Sequence, residues 1–584
     1  MAGLIRGAAV LAVLLAVAGC DRTGGRAVAE HVAQTEVRVE TPIDPCATSD
    51  LEKSNLFFPP FGMTLASDAV DLLEQDTPDS ELGSFATEVF RDHRPRPRLR
   101  ILELARIFPF GDQKAQNTFF DKEWGFVIDC DRIRGLTRVA VDEIQPGKRS
   151  PINVGVSSCA MCHTGRVAGK AWEGLGNKRI DIFTVMADSH ELQSWLVKAR
   201  KLDFRQGSMA RAIDKNSLRF SKRMSDMGQS NRTVGLVADA HVLWWVWEVT
   251  GGGQPADGPR GEVKVPPLWN MKQRRGKCVG EVCEGGLFAD GFGAGRGWFG
   301  GAVLGAGQAK EVVAGKQYQD AIAKVEQVVF ALKPPPPYPC RVDPKLVQKG
   351  RELFEAKRCA KCHETRSDEA PHTVALDKIG TDEARATGIG SSPEADKAFA
   401  AESRRRMDLL SAEIPSLART RYADLDPDGT VTYGYVAPRL EGVWARFPYF
   451  HNGSVPTLFH VLSPPEERPD VFDVTRIDTR ECFNPTNVGL RLDSEQCRPN
   501  LAAWTAPENP EFFETRPALR NIYDTRRSGH DNKGHEFWRN AQTGAWELSV
   551  ADRYALIEFL KTIGGTKEDP DWCPPLPHPP RENG

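Results

Sequence analysis

The pentapeptides "CAMCH" (159–163) and "CAKCH" (359–363) constrain this 584-residue chain more than any other feature. Both follow C-x-x-C-H, the pattern by which a c-type haem is attached. Two thiols on one helical turn reach the two vinyl groups of a single porphyrin, and the next histidine lies beneath its iron. A zinc site draws on the same residue types, but thiols of an exported chain are rarely left free for zinc. Two covalent haem c groups are therefore expected, one on Cys159, Cys162 and His163 and one on Cys359, Cys362 and His363.

The opening residues predict export. "MAGLIRGAAVLAVLLAVAGC" has a cation at Arg6, an apolar run too short for a permanent span, and small residues ending at Cys20. "VAGC" resembles a lipobox, in which the cysteine becomes the acylated N-terminus. Asp21 resembles the residue that retains such lipoproteins at the inner membrane. The alternative is an ordinary secretory peptide. On this reading residues 1–20 are a signal, 21–50 a tether, and lipid on Cys20 holds the protein to the periplasmic side of the inner membrane. Thirteen cysteines less Cys20 and the four in the haem motifs leave Cys46, Cys130, Cys278, Cys283, Cys340, Cys482, Cys497 and Cys573. An even set in an oxidising compartment suggests disulfides. The short loops favour Cys278–Cys283 and Cys482–Cys497, with the other four unassigned. A net charge of −3 leaves no basic excess for nucleic acid.

The second motif has a helical scaffold. In "VDPKLVQKGRELFEAKRCAKCH", Asp343 is a candidate N-cap and Pro344 occupies the first helical position. Leu346, Val347, Gly350, Leu353 and Phe354 share one face. A closing helix is capped by Ser549, repeats apolar residues at Tyr554, Ile557 and Leu560, and stops at Gly564. Two such helices bracketing a haem motif resemble the cytochrome c fold. "KPPPPYPC" (333–340) reads as a stiff linker between an N-terminal domain (51–332) and a C-terminal cytochrome c-like domain (341–584). With 52 glycines and 41 prolines, the expectation is a mainly α protein of two cytochrome c-like haem domains with extensive loop decoration.

The stretch "APRLEGVWARFPYFHNGSVPTLFHVL" (437–462) resembles the "PYFHDGS…TL" segment of the bacterial dihaem cytochrome c peroxidase and MauG superfamily. "RLEGVW", "HNGSVPTL", "PPEERP" and the later "GHEF" look closest to its rubber-oxygenase (RoxA-like) branch. The likeness is best over 340–565 and patchier over 150–300. "KVPPLWNMKQRR" (264–275) weakly echoes "APRLEGVWAR", as a duplicated cytochrome unit would.

The resemblance also bears on ligands. Peroxidases commonly close the electron-transfer haem with a Met after the "FHDG" histidine, but Pro465 stands at that position here, and Met407 is the only Met after the second motif. In the rubber-oxygenase branch a late histidine completes bis-His ligation. "GHEF" points to His535, with His530 as runner-up; His372, His460 and His578 are weaker candidates. His451 is expected near the haem edge, and Arg446 is a candidate partner for a haem propionate. The first haem resembles the catalytic one, open at its sixth position, with Trp269 and Phe288 as candidate distal aromatics. Trp269 could instead lie between the haems as an electron relay. His190, His241, Met186 and Met271 could close this iron. "DLDPDGT" (424–430) places Asp424, Asp426 and Asp428 like the start of a Ca2+ loop, or is a plain turn.

Three activities remain open: an oxygenase acting on an organic substrate with O2, a dihaem peroxidase drawing electrons from a small donor protein, and a non-catalytic electron carrier. The peroxidases use a distal carboxylate that the sequence does not locate, and this favours the oxygenase-like reading.

Overall fold

The computed structural model describes residues 49, 52, 118, 120–122, 124–145, 148–157, 159–181, 184, 233–237, 262–271, 278–279, 282–283, 327–332, 335–363, 373–387, 434–504 and 517–573. Cys20, Met186, His190, His241, Phe288, His372, Met407, His578 and the Asp424, Asp426 and Asp428 loop lie outside them. No helix of the described residues is long and apolar enough to cross a membrane.

The first motif is reached through a hairpin. Strands β1 (Leu136–Gln145) and β2 (Lys148–Ser157) pair antiparallel, from Leu136 opposite Ser157 to Gln145 opposite Lys148. The chain then forms the one-turn helix α1 (Cys159–His163) and a second hairpin of β3 (Thr164–Val167) and β4 (Lys170–Glu173). Its two-residue turn, Ala168 and Gly169, has φ of 47° and 83°, the left-handed pair that matches the twist of adjoining strands. The short strands β5 (Leu236–Val237) and β6 (Val263–Lys264) pair next and lead into the Pro266–Trp269 segment.

The second motif follows α2 (Pro344–Ala356), where the Asp343 carboxylate accepts from the Lys345 and Leu346 amides as the sequence predicts. Strands β7 (Thr373–Ala375) and β8 (Gly434–Val436) pair beyond it, as do β9 (Val471–Asp473) and β10 (Ile522–Asp524). The closing helix α3 (Val550–Thr562) is capped by the Ser549 hydroxyl and ends before Gly564, whose φ is 100°. Helices α2 and α3 cross at Gly350. A Cβ there would lie 1.9 Å from the Ala555 carbonyl oxygen, so only glycine lets the two backbones approach.

One apolar cluster runs through both units, including Val167, Leu175, Trp269, Tyr338, Trp444, Phe447 and Ile557. The proline run does not stand clear of it as a spacer would. Tyr338 and Cys340 are buried, the Tyr338 hydroxyl donates to the Pro485 carbonyl, and Cys340 is bonded to Cys573. The Cys482–Cys497 disulfide expected from the short loop is present. Cys278 and Cys283 face each other in backbone register. Further links join the units: Lys170 pairs with Asp569, the Trp572 indole donates to the Val167 carbonyl, and the Lys264 amide donates to the His451 carbonyl.

Candidate functional site

Both attachment motifs form a single tight turn. The first is α1; in the second, the amides of Cys362 and His363 both donate to the Cys359 carbonyl, at 3.2 and 3.0 Å. Cys159, Cys162, Cys359 and Cys362 are outside disulfides, whereas Cys130, Cys340, Cys482, Cys497 and Cys573 are in them. This partition suits thioether attachment, because a bridge within either C-x-x-C would consume the thiols. Burial pushes the Cys162 thiol up to about 12 and the Cys359 thiol up to about 11, so both stay protonated.

The two motif histidines are oriented alike. His163 Nδ1 lies 2.8 Å from the Pro266 carbonyl oxygen, and His363 Nδ1 lies 2.9 Å from that of Pro438. A carbonyl can only accept, so Nδ1 carries the proton and Nε2 keeps its lone pair for a metal. Desolvation lowers both imidazoles, His163 to about 4, which favours the neutral form that ligates. The carbonyls come from "VPPL" and "APRL", the two segments of the internal echo. In each unit the echoed segment places a proline carbonyl against the Nδ1 of the motif histidine.

The second site holds a further imidazole. The ring centres of His363 and His535 are 6.3 Å apart with planes at 61°. Two imidazoles bonded to one metal at about 2 Å each have ring centres roughly 6 Å apart, so the pair fits a haem iron between them. Nδ1 of His535 is buried, and the ring lies beside the Val461 backbone. The enclosed ring, with His363 and Arg468 nearby, has its pKa lowered to about 3. Phe450, Phe537 and Trp538 surround it at 6.3, 5.4 and 5.2 Å. Its backbone adopts a φ of 58°, unusual for a residue with a side chain, and its amide donates to the Ile379 carbonyl at 2.6 Å.

His530, the runner-up, faces elsewhere. Its Nε2 lies 3.7 Å from a Glu262 carboxylate oxygen, and its ring packs edge-on against Tyr523. Among the described residues no group of three His, Cys, Asp or Glu side chains clusters as a metal site.

The "PYFHNG" segment is buried. His451 stacks on Tyr435 at 4.6 Å, with its Nε2 3.3 Å from the tyrosine hydroxyl, and desolvation lowers it to about 3. Asn452 donates to the Gly529 and Asp531 carbonyls, tying this segment to the chain that leads to His535. Arg446 Nη2 donates to the Arg439 and Glu441 carbonyls, at 2.6 and 2.5 Å, bracing the turn that carries Pro438. Its charge is close enough to lower the pKa of His363.

Trp269 lies between the units. Its indole N–H donates to the Glu173 carbonyl, and its ring rests against Gly174, whose amide donates to the His163 carbonyl. A Cβ on Gly442 would meet the far edge of the same ring at 3.4 Å. Met271 packs with Ala160 and Leu268 behind the first motif. Sequence reasoning missed Pro266, Pro438, Lys178 and Lys264, because a backbone carbonyl leaves no residue signature and a buried lysine reads as surface.

Residues 434–473 match the family described as RoxA-like, cytochrome c-like. They comprise β8, Pro438, Arg446 and the "PYFHNG" segment. The chain is 34% identical over 248 residues to a Sinorhizobium fredii protein named "Uncharacterized protein y4iM", covering 39% of this chain and 51% of that one. It is 33% identical over 131 residues to a second protein of that organism, "Uncharacterized protein y4iJ", covering 22% of this chain and 18% of that one. The chain thus spans about half the length of the first relative and less of the second. The match over 434–473 supports a cytochrome c of the RoxA-like type and a haem-dependent oxidoreductase or cytochrome.

Proposed function

We propose that the chain is an exported dihaem c-type cytochrome oxidoreductase of two cytochrome c-like units, with an oxygenase-like first haem on His163 and a relay haem on His363 and His535. The observation that carries this reading is the recurrence of one proximal device, a C-x-x-C-H turn with its histidine donating to a proline carbonyl, in two units that share one core. The 6.3 Å approach of His535 to His363 supports a bis-imidazole second site. The open first site rests on the likeness of the "CAMCH" segment to the catalytic segment of the superfamily.

Cys159 and Cys162, and Cys359 and Cys362, would hold the two porphyrins. A haem iron supplies the one-electron and oxygen chemistry when bound. The chain's residues do the rest. Pro266 and Pro438 fix the proximal tautomers, and Arg446 braces the second of these supports. Trp269, wedged between Gly174 and Gly442, is the aromatic group best positioned to couple the units. Phe450, Phe537 and Trp538 pack around the His535 ring. Lipid on Cys20, a periplasmic site and a small electron-donor protein belong to the same proposal.

The test is the electron paramagnetic resonance and absorption spectrum of the purified protein, with His163→Ala beside it to assign signals. One low-spin bis-imidazole haem and one high-spin haem that disappears in the variant is the expected result. Consumption of O2 with an organic substrate, against consumption of peroxide with a reduced donor, separates oxygenase from peroxidase. Two low-spin haems that stay ligand-saturated on reduction would make the protein an electron carrier.

A further inference from the structure

A cavity lies where the two units meet, and three of its lining side chains are cations: Lys178, Lys264 and Arg446. Among the described residues no carboxylate lines it. Lys264 and Arg446 have structural duties. The Lys264 ammonium donates to the Arg446 and Pro448 carbonyls at 2.8 Å each, and the Arg446 guanidinium braces the Pro438 turn. Lys178 differs. It is 8% exposed, and its Nζ is buried with no hydrogen-bond partner, 3.5 Å from the centre of the Phe447 ring.

A buried ammonium loses its hydration and is stable only beside a counter-charge or an equivalent set of acceptors. The aromatic face of Phe447 returns part of that loss. Asp478 attracts Lys178, but this carboxylate also lies 3.7 Å from Arg166 and 3.8 Å from Arg179, and Lys264 opposes it. Burial holds Lys178 well below the usual lysine range, which marks a charge not yet compensated.

The cavity adjoins the supports of both haem histidines. The amide of Asn177, the residue before Lys178, donates to the Cys162 carbonyl. Pro267 lines the cavity next to Pro266, the acceptor for His163. Arg446 and Phe447 follow the turn that carries Pro438, the acceptor for His363. Each haem c brings two propionates, and these are the carboxylates that the two-haem reading supplies to this region.

We propose that Lys178 is an anion-binding residue for a haem propionate, its ammonium donating to the carboxylate in the cationic cavity between the two units. The inference rests on the two-haem reading, so haem is counted first, as the pyridine haemochrome. Two haems per chain are required before the test means anything for Lys178. The holoprotein with Lys178→Met is then titrated potentiometrically. A cation beside a propionate favours the ferrous form, so its loss should lower one midpoint by about 59 mV, about tenfold in the ferric–ferrous equilibrium.

With two haems retained and both midpoints unchanged, Lys178 faces no propionate and the proposal fails. If the unaltered protein's midpoint moves when phosphate or acetate replaces chloride at constant ionic strength, a free anion occupies the cavity and the propionate assignment is overturned. If Lys178→Met does not fold, a holoprotein crystal structure decides. A propionate oxygen within hydrogen-bond distance of Lys178 Nζ supports the proposal, and an Nζ that meets only Phe447 or water ends it.

Discussion

The two C-x-x-C-H units hold their motif histidine in the same way and differ in what surrounds it. In each, a C-x-x-C-H turn presents a histidine to a proline carbonyl, at 2.8 Å in the first unit and 2.9 Å in the second. The first is built from hairpins, with β1 and β2 leading into α1 and β3 and β4 leading away. The second is built on α2 and α3, which cross through Gly350, and it brings His535 to 6.3 Å from His363. Among the described residues no imidazole stands against His163 in this way. A repeated turn and carbonyl fix the orientation of each motif histidine, whereas the packing around that histidine differs between the units.

The largest effect should come from erasing this difference. On the proposed two-haem reading His535→Ala removes the second imidazole, so the low-spin signal of the His363 haem should convert to high-spin while haem content stays unchanged. A persistent low-spin signal would assign that ligand to another residue.

The staples come next. The Cys340–Cys573 bridge spans 233 residues and ties the proline run to the C-terminal segment, whereas Cys482–Cys497 spans 15. Replacing the first pair by serine should cost about 3–5 kcal/mol in denaturant unfolding, and replacing the second about 3 kcal/mol or less. Equal losses would mean that the long bridge does not join the units energetically.

A smaller and more local loss is expected at the helix crossing. Gly350→Ala should lower stability by about 1–3 kcal/mol through overpacking against Ala555, followed by thermal melting of the second haem's Soret band. The first haem's spectrum should be little affected. Simultaneous melting of both would show that the shared core makes them one cooperative unit.

The gentlest probe is pH. Desolvation lowers His451 to about 3 and His460 to about 4, below the value near 6.5 of an unfolded chain. Both are neutral in the folded protein. Their contribution to stability is therefore complete above the unfolded value and is lost as the pH falls below it. Between pH 7 and pH 5.5 each should cost about 1 kcal/mol, read as a lower midpoint in denaturant. A stability independent of pH over this range would mean that these imidazoles are not enclosed.

Much of the site was legible because local chemistry dictates it. C-x-x-C-H needs only neighbours on one turn, Asp343 and Ser549 cap helices through their own side chains, and Cys482 and Cys497 close a short loop. His535 was reached through its "GHEF" context, and the structure separates it from His530, which meets Glu262 across a gap of 3.7 Å. The roles of Pro266 and Pro438 could not be read, because they act through backbone carbonyls, a group every residue carries.

The sequence by itself determined two C-x-x-C-H motifs, the caps at Asp343 and Ser549, and the short loop that lets Cys482 meet Cys497. These depend on residue identity and on spacing within a turn. Only the tertiary structure decided which distant groups converge. It paired His363 with His535, carried the proline run into the core through Tyr338 and Cys340, and enclosed Lys178 beside Phe447. Burial and distance set those interactions, and both arise only when segments far apart in the chain pack together.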